Sequence, residues 1–207
     1  MRAAPAVAAG VAALTLTLAA CGSSNPTPSN ASKSTVPGST APSGAADPNA
    51  PEVVAPGDIP DNQAFVSYTP PGATFSIKVP EGWARSTSNG TVTFTDNYNS
   101  IEVSSAPSAA TPTIASVKAS GLADVSGDPT FKLGKISAIT RTAGPAVRAT
   151  YTIGSAPNPV TGKKALLAVE RYLFEHNGTT VVLTLSGAKG ADNVDPWRIV
   201  SDSLTWN

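Results

Sequence analysis

The stretch Lys164–Ala188, "KALLAVERYLFEHNGTTVVLTLSGA", constrains the fold more than any other part of the chain. Two apolar runs flank Asn177-Gly178, a residue pair favoured in a tight type I′ turn because both central positions need positive φ. In the first run Leu166, Ala168, Tyr172 and Phe174 share one face, while Leu167, Val169 and Leu173 share the other. Strands that are apolar on both faces belong in a sheet covered on both sides.

The segments before this hairpin repeat the period of two. "TFSIKVPEGW" alternates Phe75, Ile77 and Val79 against Ser76 and Lys78 and stops at Pro80 and Gly82. "TVTFTDN" and "NSIEVSSA" add Val92, Phe94, Ile101 and Val103, and "AVRATYTIG" puts Val147, Ala149, Tyr151 and Ile153 on one face. Two stretches switch to helical spacing. "TPTIASVKASGLADVSG" carries Ile114, Val117 and Leu122, with Thr111 as cap and Pro112 in the first turn. "DNVDPWRIVSDSLTW" carries Trp197, Val200 and Leu204, with Asp195 as cap and Pro196 at the first position. The expected fold class is therefore α+β: an α/β/α sandwich over residues 64–207, with a helix on each side of a central antiparallel sheet of about six to eight strands.

Ahead of Phe65 the composition changes. No aromatic residue occurs before it, and Pro, Ser, Asn and Ala are concentrated there. Residues 1–20 carry one positive charge, at Arg2, then an apolar stretch too short for a membrane span, and so resemble a secretory signal peptide. The stretch ends in "LAAC", which places the only cysteine, Cys21, where the lipobox of bacterial lipoproteins has its acylated thiol. That resemblance implies cleavage before Cys21, a diacylglyceryl thioether on its sulfur and attachment to the outer face of the cell membrane, held by about 0.8 kcal/mol per buried CH₂. Residues 21–63 have too little apolar area to offset the entropy of ordering and are expected to be a disordered tether. A span of about 35 Å as a flexible coil to about 120 Å at full polyproline extension would hold the folded part off the membrane.

Charge and chemistry exclude several classes. The chain is formally neutral, and after Phe65 the charges are mixed without clusters, so no footprint for a phosphate backbone exists. One cysteine and one histidine leave no thiolate or histidine metal site, and no cofactor motif is present. "GSAPNPVTGKK" departs from a phosphate loop at Pro157 and Lys164 and leads into a strand pattern. His176 sits in the hairpin turn without a nucleophilic partner; Asp192 and Asp195 form a possible carboxylate pair, although Asp195 is more simply a cap. An enzyme built on Asp192, Asp195 and His176 is therefore the weakest reading. Asp96, Asn97 and Asn99 read as a turn rather than a cation loop. Arg171, amid apolar neighbours, is expected to reach a carboxylate under the opposite helix, since buried charges are normally paired.

"NPVTGKKALLAVERYLFEHNGTTVVLTLSG" followed by "GADNVDPWRIVSDSLTW" resembles the end of actinobacterial lipoproteins of the LpqN/LpqT type, and the order of strands and helices resembles the PsbP-like domain. Gly162, Arg171, Tyr172, Asp195, Pro196 and Trp197 carry the match. The resemblance implies an envelope lipoprotein that acts by binding and brings no catalytic residue with it. The resulting expectation is a lipid-anchored extracytoplasmic binding or adaptor module for an envelope protein, with Cys21 as the modified residue. The alternative is a carrier holding an apolar envelope ligand, such as a lipid, between sheet and helix.

Overall fold

A computed structural model describes residues 57–108, 110–158 and 162–207. The signal-like stretch, Cys21 and the tether up to residue 56 lie outside the described residues.

Among the described residues, ten strands and two helical segments follow one another as β1 (Phe65–Tyr68), β2 (Phe75–Pro80), β3 (Ala84–Ser88), β4 (Thr91–Asp96), β5 (Asn99–Pro107), α1 (Ile114–Ser116, continued by a π-helical turn Val117–Gly121), β6 (Lys132–Arg141), β7 (Gly144–Gly154), β8 (Leu166–His176), β9 (Thr179–Ala188), α2 (Val194–Asp202) and β10 (Thr205–Trp206). Seven strands form one antiparallel sheet in the order β3-β4-β5-β9-β8-β7-β6, and β1-β2-β10 form a second, three-stranded sheet. The two Asn-Gly turns that close β3–β4 and β8–β9 have the paired positive φ the turn type demands, 49° and 77° at Asn89-Gly90 and 48° and 77° at Asn177-Gly178.

Both faces of the seven-stranded sheet are covered, as the β8–β9 sequence requires. On one face Ile101, Val103, Tyr172, Phe174, Leu183 and Leu185 meet Phe75 and Ile77 of β2 and Trp197, Val200 and Leu204 from α2 and its end. On the other, Val147, Ala149, Tyr151, Val169 and Leu173 meet Val117 and Leu122 of the π-helical turn and the loop after it. Each fully buried aliphatic or aromatic side chain contributes about 1.5–3 kcal/mol of transfer free energy, so the larger first cluster dominates the stability.

The expected α/β/α sandwich is corrected in one layer: its second cover is α2 together with the three-stranded sheet. The strand Phe75–Pro80 exists as its alternation predicts but belongs to that cover, because a period of two specifies which residues share a face and not which sheet they join. Helix boundaries shift as well. Thr113, not Thr111, caps α1, its hydroxyl accepting from Ser116 N–H at 3.1 Å in a capping box. Helix α2 starts two residues before Pro196, with Asn193 as N-cap and no side-chain cap bond, so Asp195 is not the cap. Pro196 is still tolerated there, since N–H groups in the first turn have no partner within the helix.

Residues 57–63 were expected to belong to the tether, and the structure corrects that too. Ile59 is buried in the main core, and Gly57, Asp58 and Ile59 are each hydrogen-bonded to the segment after β9.

Candidate functional site

The face of the large sheet under α2 is not filled evenly. Along the β8–β9 hairpin the residue pairs on this face are Phe174–Val181, Tyr172–Leu183, Glu170–Leu185 and Ala168–Gly187. Side-chain size falls away from the turn. The last pair continues into a cross-strand row, Gly187–Ala168–Thr152–Lys132, running from β9 over β8 and β7 to the edge strand β6. The small residues Gly187, Ala168 and Thr152 leave a groove of about 440 Å³ between α2 and the outer strands. Trp197 and Val194 of α2 wall one side, and Lys132–Gly134 of β6 form the outer wall. Ala168 and Lys132 are exposed along it, and Val194 is 72% exposed.

Glycine and threonine shape the outer wall. A bulge between Leu133 and Ile136 bends β6, and Thr150 fills it: its Oγ1 accepts from Lys135 N–H at 2.9 Å and donates to Lys135 O at 3.3 Å. A Cβ on Gly134 would lie 2.7 Å from Thr150 Oγ1, so only glycine fits.

At the β9 end of the groove the buried Asn193 ties three segments together. Its Oδ1 accepts from Ile59 N–H at 2.8 Å, and its Nδ2 donates to Gly57 O and to Asn99 Oδ1, both at 3.0 Å. This amide pair lies over Gly187, where a Cβ would come within 2.7 Å of both side chains. Asp192 N–H donates to Asp58 Oδ1 at 2.8 Å, and a Cβ on Gly57 would stand 2.9 Å from that of Ala188. The chain therefore joins the folded domain at the mouth of the groove.

A strip of paired charges flanks the groove on the side toward the β8–β9 turn. Glu170 accepts from the Tyr172 hydroxyl and pairs with Arg148 at 3.4 Å; Arg141 donates to the Tyr172 hydroxyl at 3.2 Å and pairs with Asp202 at 3.6 Å. Burial, reinforced by the bond to Glu170, pushes the Tyr172 hydroxyl above its ordinary pKa. Tyr172 therefore stays a neutral donor, and the strip holds its shape.

The opposite face carries Arg171. It donates to Asp124 with both terminal nitrogens, at 2.6 and 2.8 Å, to Gly121 O at 3.2 Å and, through Nε, to Thr184 Oγ1 at 3.1 Å. The expected carboxylate under the helix is thus Asp124. Hydrogen bonds from Arg171, with its charge, hold the Asp124 carboxyl below its ordinary value; burial pushes Glu102 above its own, against the pull of Arg171. With all its nitrogens bonded, Arg171 pins the fold.

The remaining sequence candidates are scattered. His176 ends β8 at the turn, exposed and stacked on Trp206 with centroids 5.1 Å apart. Asp192 and Asp195 are exposed beyond the far end of β9, the length of a ten-residue strand away, about 33 Å. The structure does not bring these three together. Asn99 is buried against Asn193, and Asn97 donates to Asp96 at 3.2 Å in a turn with φ of 52°, so no cation loop forms there. Gly162 precedes a strand, not a helix. Among the described residues, no group of three His, Cys, Asp or Glu side chains could hold a metal ion. Sequence reasoning missed Asn193, Gly187, Thr152 and Lys132; the readable signal was the drop in size from Phe174 to Ala168 on one strand face.

No family model matches the chain, and no curated protein matches it in sequence. Its architecture is similar to the solution structure of cyanobacterial PsbP (CyanoP) from Synechocystis, with a TM-score of 0.52 and 14% identity over 70% of this chain and 94% of that one. More distant likenesses are the Saccharomyces cerevisiae Ran-binding protein Mog1p (TM-score 0.43, 11% identity, 68% and 87% of the chains) and LpqN, involved in cell envelope biogenesis of Mycobacterium tuberculosis (0.37, 16%, 70% and 85%). The first establishes a PsbP-like fold.

Proposed function

We propose that this chain is a lipid-anchored extracytoplasmic binding module, tethered through Cys21 and non-enzymatic, that uses the groove beneath α2 to hold an extended segment of an envelope protein. The observation that carries the reading is the row Gly187–Ala168–Thr152, small on three adjacent strands and ending at Lys132 on the fourth, beside exposed Val194. A groove open along its length suits an extended peptide, whose backbone can keep its polar groups in water while alternate side chains fill the floor.

The alternative, a carrier of an apolar lipid, draws on the volume, which falls in the usual range for small-molecule sites. It is disfavoured by the exposure of Ala168 and Lys132 along the groove, because such sites bury most of a ligand's surface. Photo-crosslinking in intact cells separates the two. A photoreactive residue in place of Val194 should capture a protein, whereas one in place of Val66 on β1 should not. Capture of lipid alone from position 194 would transfer the function to the carrier, and no capture above background would remove the site.

A further inference from the structure

The face of the large sheet opposite the groove is covered only in part. The π-helical turn and the loop after it lie over β7 and β8, whereas over β4, β5 and β9 the same face is polar. Cross-strand rows read Thr93–Glu102–Thr184 and Thr95–Ser100–Ser186 from β4 over β5 to β9, and the first continues to Arg171 on β8. Intervening residues of these strands, such as Phe94, Ile101 and Leu185, point the other way into the main core. Two hollows of about 290 and 350 Å³ follow one another along the polar face and meet at Glu102. Gly121 and Asp124 wall the first, and Tyr98 and residues 155–158 wall the second.

Threonine on an exposed strand needs no explanation, since strands favour it. Glu102 does need one. It is a half-buried carboxylate without an ion pair among the described residues, because Arg171 is committed to Asp124. Burial, against the pull of Arg171, holds its pKa above the ordinary value, and a charge kept partly out of water without a partner costs stability. Thr184 beside it is 7% exposed: its Oγ1 accepts from Arg171 Nε at 3.1 Å, while its own proton has no acceptor among the described residues. Ser100 and Ser186 share one hydrogen bond of 2.7 Å, which uses one of their two hydroxyl protons and leaves the other open. Open donors and an open acceptor therefore stand side by side.

Charge decides what fits them. Asp124 cancels Arg171 and Glu102 repels anions, so phosphates and uronic acids are disfavoured. A simple cation would satisfy Glu102 but accept nothing from the hydroxyls. A sugar hydroxyl donates and accepts at once and matches both. Tyr98 adds a ring whose negative face suits the C–H groups of a sugar. Along β5 the two hollows run from Ser104 to Ser100, about 14 Å, which is long for a single sugar ring and suits a chain of them. We infer that the outer face of β4, β5 and β9 binds a neutral polysaccharide laid along β5, with Glu102 and Thr184 as its central contacts. The site lies on the other side of the sheet from the groove under α2 and does not rest on the peptide reading.

The test follows amide shifts of the chain from Cys21 to Asn207 as maltopentaose, cellopentaose and arabinopentaose are added separately, with pentagalacturonate as the anionic comparison. At least one neutral pentamer is expected to give saturable shifts at Thr93, Glu102, Ser104 and Thr184, about tenfold tighter than its own monosaccharide, with pentagalacturonate inert. Glu102→Leu removes the unpaired charge and is expected to keep or raise the urea midpoint while weakening the pentamer about tenfold. Thr93→Val keeps the shape of the strand and should weaken it about threefold, whereas Ala168→Phe in the groove should change nothing. No saturation by any of the three neutral pentamers, or equal binding of pentagalacturonate, would overturn the inference. Equal affinity for the monosaccharide would overturn it in favour of a single-sugar site. A lowered urea midpoint in Glu102→Leu with pentamer affinity unchanged would overturn it by making Glu102 a structural residue.

Discussion

The two halves of the β8–β9 hairpin are built from the same antiparallel ladder and do opposite things. Near the turn, Phe174, Tyr172, Val181 and Leu183 are almost entirely inaccessible and pack against Phe75, Ile77, Val200 and Leu204. Six residues back from Phe174 along the same strand face, Ala168 and its partner Gly187 carry no side chain beyond Cβ, and α2 spans a gap there instead of a core. One half of the hairpin supplies stability, which frees the other half to remain open. A bare, partly apolar floor costs stability that a small domain cannot spare everywhere, and its confinement to one end is what the proposed peptide site builds on.

That contrast can be broken from either side. The largest effect is expected in the filled half: Phe174→Ala should cost about 3–5 kcal/mol, read as a lowered urea midpoint, because the rigid surroundings cannot close over the cavity. At the junction of the halves, Asn193→Ala leaves Ile59 N–H, Gly57 O and Asn99 Oδ1 without their partner. A loss of about 2–3 kcal/mol is expected, together with faster amide exchange at Ile59. If Asn193→Ala were neutral, the chain entry would not be a structural clamp.

The opposite face gives an internal reference. Asp124→Asn should cost about 1–2 kcal/mol, because Arg171 is left buried without its charge partner while Asp124 itself is 60% exposed and screened. Its pH dependence has a definite sign. The folded-state pKa of Asp124 lies below the ordinary 3.8, so its stabilisation is present above that value and is lost as pH falls through the lower one. Wild type should therefore lose stability in acid faster than D124N, and parallel curves would contradict the pairing.

The smallest stability change, within about 0.5 kcal/mol, is expected for Ala168→Phe in the open half, since the residue is exposed. The same substitution should weaken peptide binding at least tenfold. A large destabilisation would mean that the floor of the groove is part of the core after all.

Much of the fold is legible from local pattern. The alternations at Val147–Ile153 and Leu166–Phe174 identify both faces correctly, and Asn177-Gly178 fixes the turn. Even the ion pair of Arg171 follows from a cation among apolar neighbours. What stayed hidden was long-range. Nothing local reveals that β2 leaves the main sheet, since its pairing with β10 joins residues 75 and 206. Strand β3, exposed at every residue, offers no hydrophobic period to read. The groove was hidden for a different reason: a small residue on one strand leaves a groove only when the neighbouring strands align small residues beside it, as Gly187 and Thr152 do beside Ala168. Asn193 gave no signal, because a polar residue destined to bridge three segments looks like any loop residue.

The central claim is that the open half of this sheet face recognises an extended chain. The most direct measurement is amide shift mapping of the chain from Cys21 to Asn207 titrated with two probes, the peptide acetyl-VTVAV-amide and decanoate. The account predicts saturable shifts from the peptide at Thr150, Thr152, Ala168 and Gly187, with Phe174 and Leu183 unmoved and decanoate without saturation. Shifts from decanoate alone, or peptide shifts confined to the face of Arg171, would contradict it.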